Sequence, residues 1–442
     1  MFKTFRNAFK IKDIRNKILF TCMALIVVRI GSLLPAPGVD QNYITQFFAQ
    51  NFGSGLSFLD SFTGGSFSRM SLFALGIGPY ITSSIIMQLL TIAIPKLEEL
   101  QKDGEDGKKK IAEISRYVTI ALAIIESVAL VIGFGNSGIL HGGVSFSNIV
   151  VITCTFTAGS AFLMWLGEKI TEKGVGNGIS IILLINIVAG MPADLSGLYN
   201  TFINGKSVVK GVFAAVIILA IIVFMVVVVI LLQDAQRKIA VQYAKKVQGR
   251  KMVGGQSSFI PLKVNTAGVI PVIFAVSLMQ FPIIIASMFG LQAERAYFWP
   301  KVLYMLNSQN WFDLDNGAFK YTVGLLIYMA LIIFFAYFYT SITFNPVEVA
   351  NNMKKQGGFI PGIRPGKPTS EYLTKVLNYI IFIGAIFLTI VAVIPIAFSG
   401  MFNAQVSFGG TSVIIVVGVV LETMKQVESQ MLVRHYKGFL ND

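Results

Sequence analysis

Long apolar runs separated by short polar segments make up most of this chain. A helix of about 20 apolar residues crosses the hydrocarbon core of a bilayer, and ten runs indicate such helices. They cover residues 18–34, 71–95, 117–135, 148–166, 179–191, 211–232, 267–290, 321–341, 376–398 and 411–430. The pattern therefore predicts an all-α membrane protein with ten transmembrane helices.

The division of these runs into two sets of five predicts a repeated architecture. Because five is odd, two similar halves have opposite orientations in the membrane, as in many transporters. We assign residues 18–206 to the first half and 207–430 to the second, with 1–17 and 431–442 as terminal segments. The second run of each half contains Gly or Pro, and the fifth run of each is short, which is typical of helices along a functional axis. Helices 2, 5, 7 and 10 are therefore predicted to line a central pathway.

Lysine and arginine are distributed unevenly between the polar segments. If the N-terminus is cytoplasmic, 29 of the 36 basic residues lie on the cytoplasmic side, six lie outside and Arg29 lies within the membrane. Such an excess predicts the orientation of a membrane protein. Both termini and the long loops 233–265 and 342–375 are therefore expected in the cytoplasm, where the net charge of +14 also favours anionic lipids.

Aliphatic residues recur near the start of the four predicted pathway helices, in two of them at one-turn spacing. They are Ile77, Ile81, Ile85, Ile179, Leu183, Ile273 and Ile415. Such a stripe is most often ordinary packing or lipid contact. If these helices face a pore, however, the same side chains form a hydrophobic constriction that blocks ions because it does not hydrate.

The phenylalanine-rich segment 56–70 is too short to cross the membrane and lies outside by the predicted topology. One interpretation is an amphipathic helix at the membrane surface. The other is that the segment folds back into the pathway, with Gly64 and Gly65 as its hinge.

Residues suited to catalysis or ion coupling are scarce. The two histidines, His141 and His435, have no metal-ligand spacing, so no metal, cofactor or enzymatic activity is expected. Within the predicted membrane helices, the candidates for ion coupling are Arg29, Glu126 and Glu422. An ion-coupled carrier of small solutes and an assembly scaffold without a conduit remain the alternatives to a channel.

The loop 357–368 is rich in Gly and Pro and carries Arg364 and Lys367. Gly and Pro at these positions prevent a helix from continuing. A rigid, basic loop between two apolar runs is better suited to docking a soluble partner than to connecting two helices.

Six short stretches in this order resemble the SecY family, the channel subunits of bacterial protein translocases. They are Arg29-Ile30-Gly31-Ser32, Ala74-Leu75-Gly76-Ile77-Gly78-Pro79-Tyr80-Ile81, Met164-Trp165-Leu166-Gly167-Glu168, Gly176-Asn177-Gly178-Ile179-Ser180-Ile181, Pro261-Leu262-Lys263-Val264-Asn265 and residues 359–366. The resemblance extends over essentially the whole chain.

This resemblance implies two inverted five-helix halves that form a clamshell around an hourglass pore. The pore ring is expected at Ile77, Ile81, Ile179, Leu183, Ile273 and Ile415. The plug, 56–70, is expected to seal the resting pore through Leu56, Phe58, Leu59, Phe62, Gly64, Gly65 and Phe67. Helices 2 and 3 against helices 7 and 8 are expected to form a lateral gate.

The resemblance also implies the partners and the function. The SecA motor or the ribosome is expected to dock on the cytoplasmic loops at Arg250, Lys251, Lys354, Lys355 and Arg364. SecE and SecG are the expected accessory subunits in a bacterial plasma membrane. The chain is expected to conduct unfolded, signal-bearing polypeptides and to release membrane segments sideways into lipid. The resemblance assigns no role to Glu126.

Overall fold

The computed structural model describes residues 9–40, 43–44, 60, 62–135, 145–204, 208–243, 246–248, 251–253, 257–288, 298–306, 311, 322–402 and 410–438. These residues are mostly helical. The helices are α1 (Lys12–Leu33), α2 (Gly78–Ala93), α3 (Pro95–Lys102), α4 (Gly104–Gly135), α5 (Phe146–Lys173), α6 (Gly178–Phe202), α7 (Val208–Asp234), α8 (Ile270–Met288), α9 (Phe298–Leu306), α10 (Val323–Thr343), α11 (Pro346–Lys355), α12 (Lys367–Phe402) and α13 (Gly410–Gly438).

Ten of these helices have 16 residues or more, and each overlaps one of the ten predicted membrane runs. Seven are long and apolar enough to cross a bilayer alone, and α2 with α3 makes an eighth across a bend of 101°. Of the other two, α8 has a shorter apolar part, Ile270–Ile283, and α13 carries charged residues in its second half. The described residues therefore contain a helix for every predicted span.

Three predicted runs have different limits in the structure. The second run, 71–95, begins with turns, and α2 starts only at Gly78. The prediction that the fifth helix of the first half falls short of a full crossing is wrong, because α6 has 25 residues and is apolar enough to cross a bilayer alone. α13 has 29 residues, but it is not among the described helices that are apolar enough to cross alone. α6 continues past Pro192, since a proline removes only one backbone donor. α13 continues past Glu422, whose side chain is exposed.

The all-α prediction missed a small amount of β-structure in the two long loops. The strands are β1 (Gln236–Tyr243), β2 (Lys246–Gln248), β3 (Lys251–Val253), β4 (Ser257–Lys263) and β5 (Gly358–Phe359). β4, β1 and β5 form an antiparallel sheet in that order, and β2 pairs with β3. Because β1 and β5 come from different loops, the sheet joins loop 233–265 to loop 342–375.

One apolar core holds this sheet against the neighbouring helices. Ile239 and Val241 of β1 are buried together with Met353 of α11 and Leu373 of α12. Along β1, these buried residues alternate with exposed neighbours, which is the two-residue period of a half-buried strand. That alternation was the sequence signal that could have predicted the strand.

The glycine-rich run 174–178 forms a tight turn between α5 and α6. The side chain of Asn177 caps α6 by accepting hydrogen bonds from the backbone N–H groups of Ile179 and Ser180. The N–H of Gly178 donates to Thr171 Oγ1 at 2.8 Å. A Cβ added to Gly178 would lie 2.0 Å from the carbonyl oxygen of Gly167, so the close approach of the two helices requires glycine here.

Gly178→Ala is expected to lower the thermal stability of the protein. The added methyl group meets backbone atoms, which cannot move aside as a side chain can, and such overpacking costs about 1–3 kcal/mol. The matched control is Gly190→Ala in the same helix, where an added Cβ has nothing within 4 Å. Thermal unfolding in detergent, followed by tryptophan fluorescence, should show a lower midpoint for Gly178→Ala only. Equal midpoints would contradict the packing argument.

Candidate functional site

Four helices bring aliphatic side chains into one hydrophobic cluster. The helices α2, α6, α8 and α13 contribute Ile77, Ile81, Ile179, Ile273 and Ile415. Ile77 and Ile415 are only 3% and 1% exposed, and Leu183 is buried one turn along α6 from Ile179. Five of the six residues expected in the ring therefore belong to one cluster, and the sixth lies on a helix that lines it.

The start of α2 positions two of these side chains. Gly76 has a φ of +57°, a conformation in which the preceding turns cannot continue as a helix. Pro79 occupies the first turn of α2, where its missing N–H costs no hydrogen bond. Ile77 is the N-cap residue, and the N–H of Ile81 donates to its carbonyl oxygen at 3.1 Å. The Gly-Pro interruption thus determines where the aliphatic stripe of α2 begins.

The described part of the phenylalanine-rich segment, Asp60 and residues 62–70, folds back on itself. Asp60 Oδ1 accepts a hydrogen bond from the backbone N–H of Ser68 at 2.8 Å, and its carbonyl oxygen accepts one from Gly65 at 3.0 Å. Burial raises the pKa of the Asp60 carboxyl, and the hydrogen bonds from Ser68 act in the opposite direction. The other expected plug residues Leu56, Phe58 and Leu59 lie outside the described residues.

This segment lies against α1, α6 and the aliphatic cluster. Arg29 Nη1 of α1 donates to the carbonyl oxygen of Gly64 at 3.2 Å, and Asn186 Nδ2 of α6 donates to that of Phe62 at 3.2 Å. The ring of Phe62 packs against the cluster that contains the five isoleucines. Phe67 is buried in a neighbouring cluster. The described residues of this segment are therefore folded against α1, α6 and the aliphatic cluster.

Sequence reasoning missed Asn186 and named no partner for Arg29. The guanidinium of Arg29, which the topology places within the membrane, bonds to the folded-back segment. Asn186 is polar and only 2% exposed in an otherwise apolar helix. Its spacing from Ile179 and Leu183 puts it on the same helix face, and this was the signal that could have identified it.

Helices of the two halves meet along an apolar seam. α8 contacts both α2 and α4, and α10 packs against α8. Ile85 of α2 shares a core with Val272 and Met279 of α8. On the other side of α2, Ser83 Oγ donates to the carbonyl oxygen of Ser115 in α4 at 2.7 Å. Of the helices expected to form the lateral gate, α8 is therefore in contact with α2, α4 and α10.

The turn between β5 and α12 and the end of α11 form a basic surface. Arg364 is exposed on the turn, and Lys354 and Lys355 are exposed in the last turn of α11. Lys251 is the first residue of β3. Arg250 lies outside the described residues.

The turn that carries Arg364 is anchored on both sides. Thr369 Oγ1 donates to the carbonyl oxygen of Arg364 at 2.8 Å. Ile360 is buried in the core of the sheet, and its carbonyl oxygen accepts a hydrogen bond from Ile363 at 3.0 Å. The backbone that presents Arg364 is thus fixed by packing and hydrogen bonds.

Comparison with known proteins decides the family. A family model described as SecY matches residues 71–424. The protein translocase subunit SecY of Halalkalibacterium halodurans is 45% identical over 447 residues, covering 100% of both chains. That of Bacillus subtilis (strain 168) is 45% identical over 450 residues, again covering 100% of both. The chain belongs to the SecY family.

Solved structures share the SecY fold at low sequence identity. One, described as the structure of a protein conducting channel, has a TM-score of 0.65 and 18% identity. Another, which concerns the plug domain of the SecY protein, has a TM-score of 0.62 and 18% identity. Sec61 in a canine ribosome-channel complex has a TM-score of 0.62 and 16% identity. Each alignment covers 94% of this chain and 92% of the other.

The likeness to these channels extends over both halves of the chain. This protein is therefore a multi-pass membrane protein with the ten-helix clamshell of the SecY family. α1, α2, α4, α5 and α6 are the long helices of the first half. α7, α8, α10, α12 and α13 are those of the second half.

Proposed function

We propose that this protein is a channel that passes unfolded, signal-bearing polypeptides across the membrane. The observation that carries the proposal is the aliphatic cluster from four helices with Phe62 of the folded-back segment packed against it. Relatives that match the whole chain are named protein translocase subunit SecY. The channel itself is passive, and a partner supplies the energy for transport.

The ring of the closed pore consists of Ile77, Ile81, Ile179, Leu183, Ile273 and Ile415. A narrow apolar constriction excludes ions because water does not fill it. The same aliphatic side chains offer no directional hydrogen bonds, so they yield to any passing polypeptide sequence without binding it strongly. The packing of five of these six residues in a common cluster supports this assignment.

Residues 56–70 form the plug that closes the resting pore from the outside. The contact of Phe62 with the aliphatic cluster and the burial of Phe67 support this role for the described part of the segment. When a polypeptide enters the ring, the plug has to leave this position.

The seam of α2 and α4 with α8 and α10 is the lateral gate. The core that Ile85 shares with Val272 and Met279 is apolar. Lipid tails replace such contacts at little cost, since they are as apolar as the side chains themselves. Signal sequences and membrane segments can therefore pass from the pore into lipid, and the two halves, 18–206 and 207–430, separate as they do so.

The cytoplasmic side faces the partners that drive transport. The excess of Lys and Arg supports cytoplasmic N- and C-termini in a bacterial plasma membrane. SecA or the ribosome docks through Arg250, Lys251, Lys354, Lys355 and Arg364. Of these, Lys354, Lys355 and Arg364 are exposed in the described part of the chain. SecE and SecG complete the complex, as expected of the SecY family.

Reconstitution tests this function. The chain is incorporated into liposomes with SecE, supplied with SecA, ATP and a signal-bearing precursor, and the precursor is then treated with protease. Protection that requires both ATP and this chain is the expected result. No protection, in parallel with an active SecY channel and the same partners, would contradict the proposal.

A further inference from the structure

We propose that Arg29 and Asn186 form a polar latch that holds the plug in the closed channel. We further propose that Asn186 releases the plug when the ring widens. The inference rests on the proposed function. It states that two side chains outside the plug hold the plug in its resting position.

The latch acts on the backbone of the plug from two helices. Arg29 of α1 and Asn186 of α6 donate to carbonyl oxygens two residues apart, those of Gly64 and Phe62, each at 3.2 Å. A Cβ on Gly64 would lie 2.7 Å from Arg29 Nη1 and 3.0 Å from the Cα and carbonyl oxygen of Asn186. The plug backbone is therefore clamped between the two residues without space for a side chain.

The chemistry of the two donors fits a contact that is made and broken. The bond from Arg29 is charge-assisted and therefore stronger than one between neutral groups. Asn186 is buried, and no group in the described part of the chain donates to its Oδ1. Its amide thus gains its hydrogen bond from the plug. These two bonds add to the apolar contacts of Phe62 and Phe67 in holding the segment in place.

The position of Asn186 couples the latch to the ring. Ile179, Leu183 and Asn186 occupy positions i, i+4 and i+7 of α6, which form one helix face. A polypeptide that pushes Ile179 and Leu183 outward displaces α6 and withdraws Asn186 from the carbonyl oxygen of Phe62. Widening of the ring therefore releases the plug without a separate signal.

Two neighbouring glycines provide a matched test. Gly64 and Gly65 have φ values of +67° and +81°, so alanine introduces similar backbone strain at either position. Only at Gly64 does the added Cβ meet Arg29 and Asn186, because at Gly65 nothing lies within 4 Å. Resting conductance in planar bilayers is expected to be about fivefold higher for Gly64→Ala than for Gly65→Ala, since an unlatched plug no longer seals the pore. Equal conductance would overturn the latch.

Substitution of the latch residues is the second test. Arg29→Met and Asn186→Leu remove the donors and keep comparable side-chain size, and Arg15→Met is the control on an exposed arginine of the same helix as Arg29. The first two variants are expected to leak and to pass a precursor with a defective signal sequence, while they still transport the normal precursor.

The outcomes of this second test separate the latch from the proposed function. If the Arg29 and Asn186 variants transport the normal precursor and are as tight as the Arg15 control, the latch is wrong and the channel function stands. If the unaltered protein transports nothing, the proposed function itself fails. If either variant does not assemble, the comparison of Gly64→Ala with Gly65→Ala decides whether the latch is correct.

Discussion

Replacing Ile81 and Ile273 together with asparagine is expected to make the resting channel conduct ions. The two side chains come from α2 and α8, in different halves of the chain, and pack against the same aliphatic cluster. A buried amide without a partner costs about 1–3 kcal/mol, and water that enters the constriction relieves this cost. Because a hydrated constriction no longer blocks ions, the conductance in planar bilayers without SecA or precursor should rise about tenfold or more.

The matched control keeps the side chains large and apolar. Ile81→Leu with Ile273→Leu should leave the resting conductance near that of the unaltered protein. Transport of a signal-bearing precursor by the asparagine variant shows that the channel is assembled. A channel that transports and yet stays tight with both asparagines would mean that Ile81 and Ile273 do not face the pore.

Reversing the charge at Arg364 is expected to reduce SecA-driven transport about tenfold while membrane assembly stays normal. Arg364 is exposed on a turn that Thr369 and the buried Ile360 hold in place. Glutamate at this position removes an attraction to an acidic partner surface and adds a repulsion, whereas the anchoring contacts involve the backbone. The measurement is ATP-dependent protection of a precursor from protease in proteoliposomes.

Lys375→Glu is the control for net charge. Lys375 is also exposed, but it lies within α12 and away from the turn. Normal transport by this variant, with impaired transport by Arg364→Glu, supports docking at the turn. Equal impairment by both would attribute the effect to total charge, and normal transport by both would contradict the docking role of Arg364.

The helices of this protein were largely predictable, whereas their ends were not. All ten predicted runs coincide with long helices because an apolar run has to form its backbone hydrogen bonds internally in lipid. The ends depend on local contacts. α2 begins at Gly78 because Gly76 has a left-handed conformation, and α6 continues past Pro192 to Phe202.

The apolar residues of the candidate site were predictable from the sequence, whereas the prediction of its polar residues was incomplete. Five isoleucines chosen from helix position and resemblance belong to one cluster. Asn186 was not selected, although its spacing from Ile179 and Leu183 puts it on the same face of α6, because the sequence does not show which group it bonds to. That partner, the carbonyl oxygen of Phe62, is 124 residues away along the chain.

The sequence alone determined the membrane class, the number of helices and the family, because each depends on residue type and on order along the chain. The tertiary structure alone decided which side chains meet. It joined β1 to β5 across two loops and brought Arg29 and Asn186 to adjacent parts of one segment. Contacts between distant residues depend on how helices and loops pack in three dimensions, and local hydropathy carries no record of that packing.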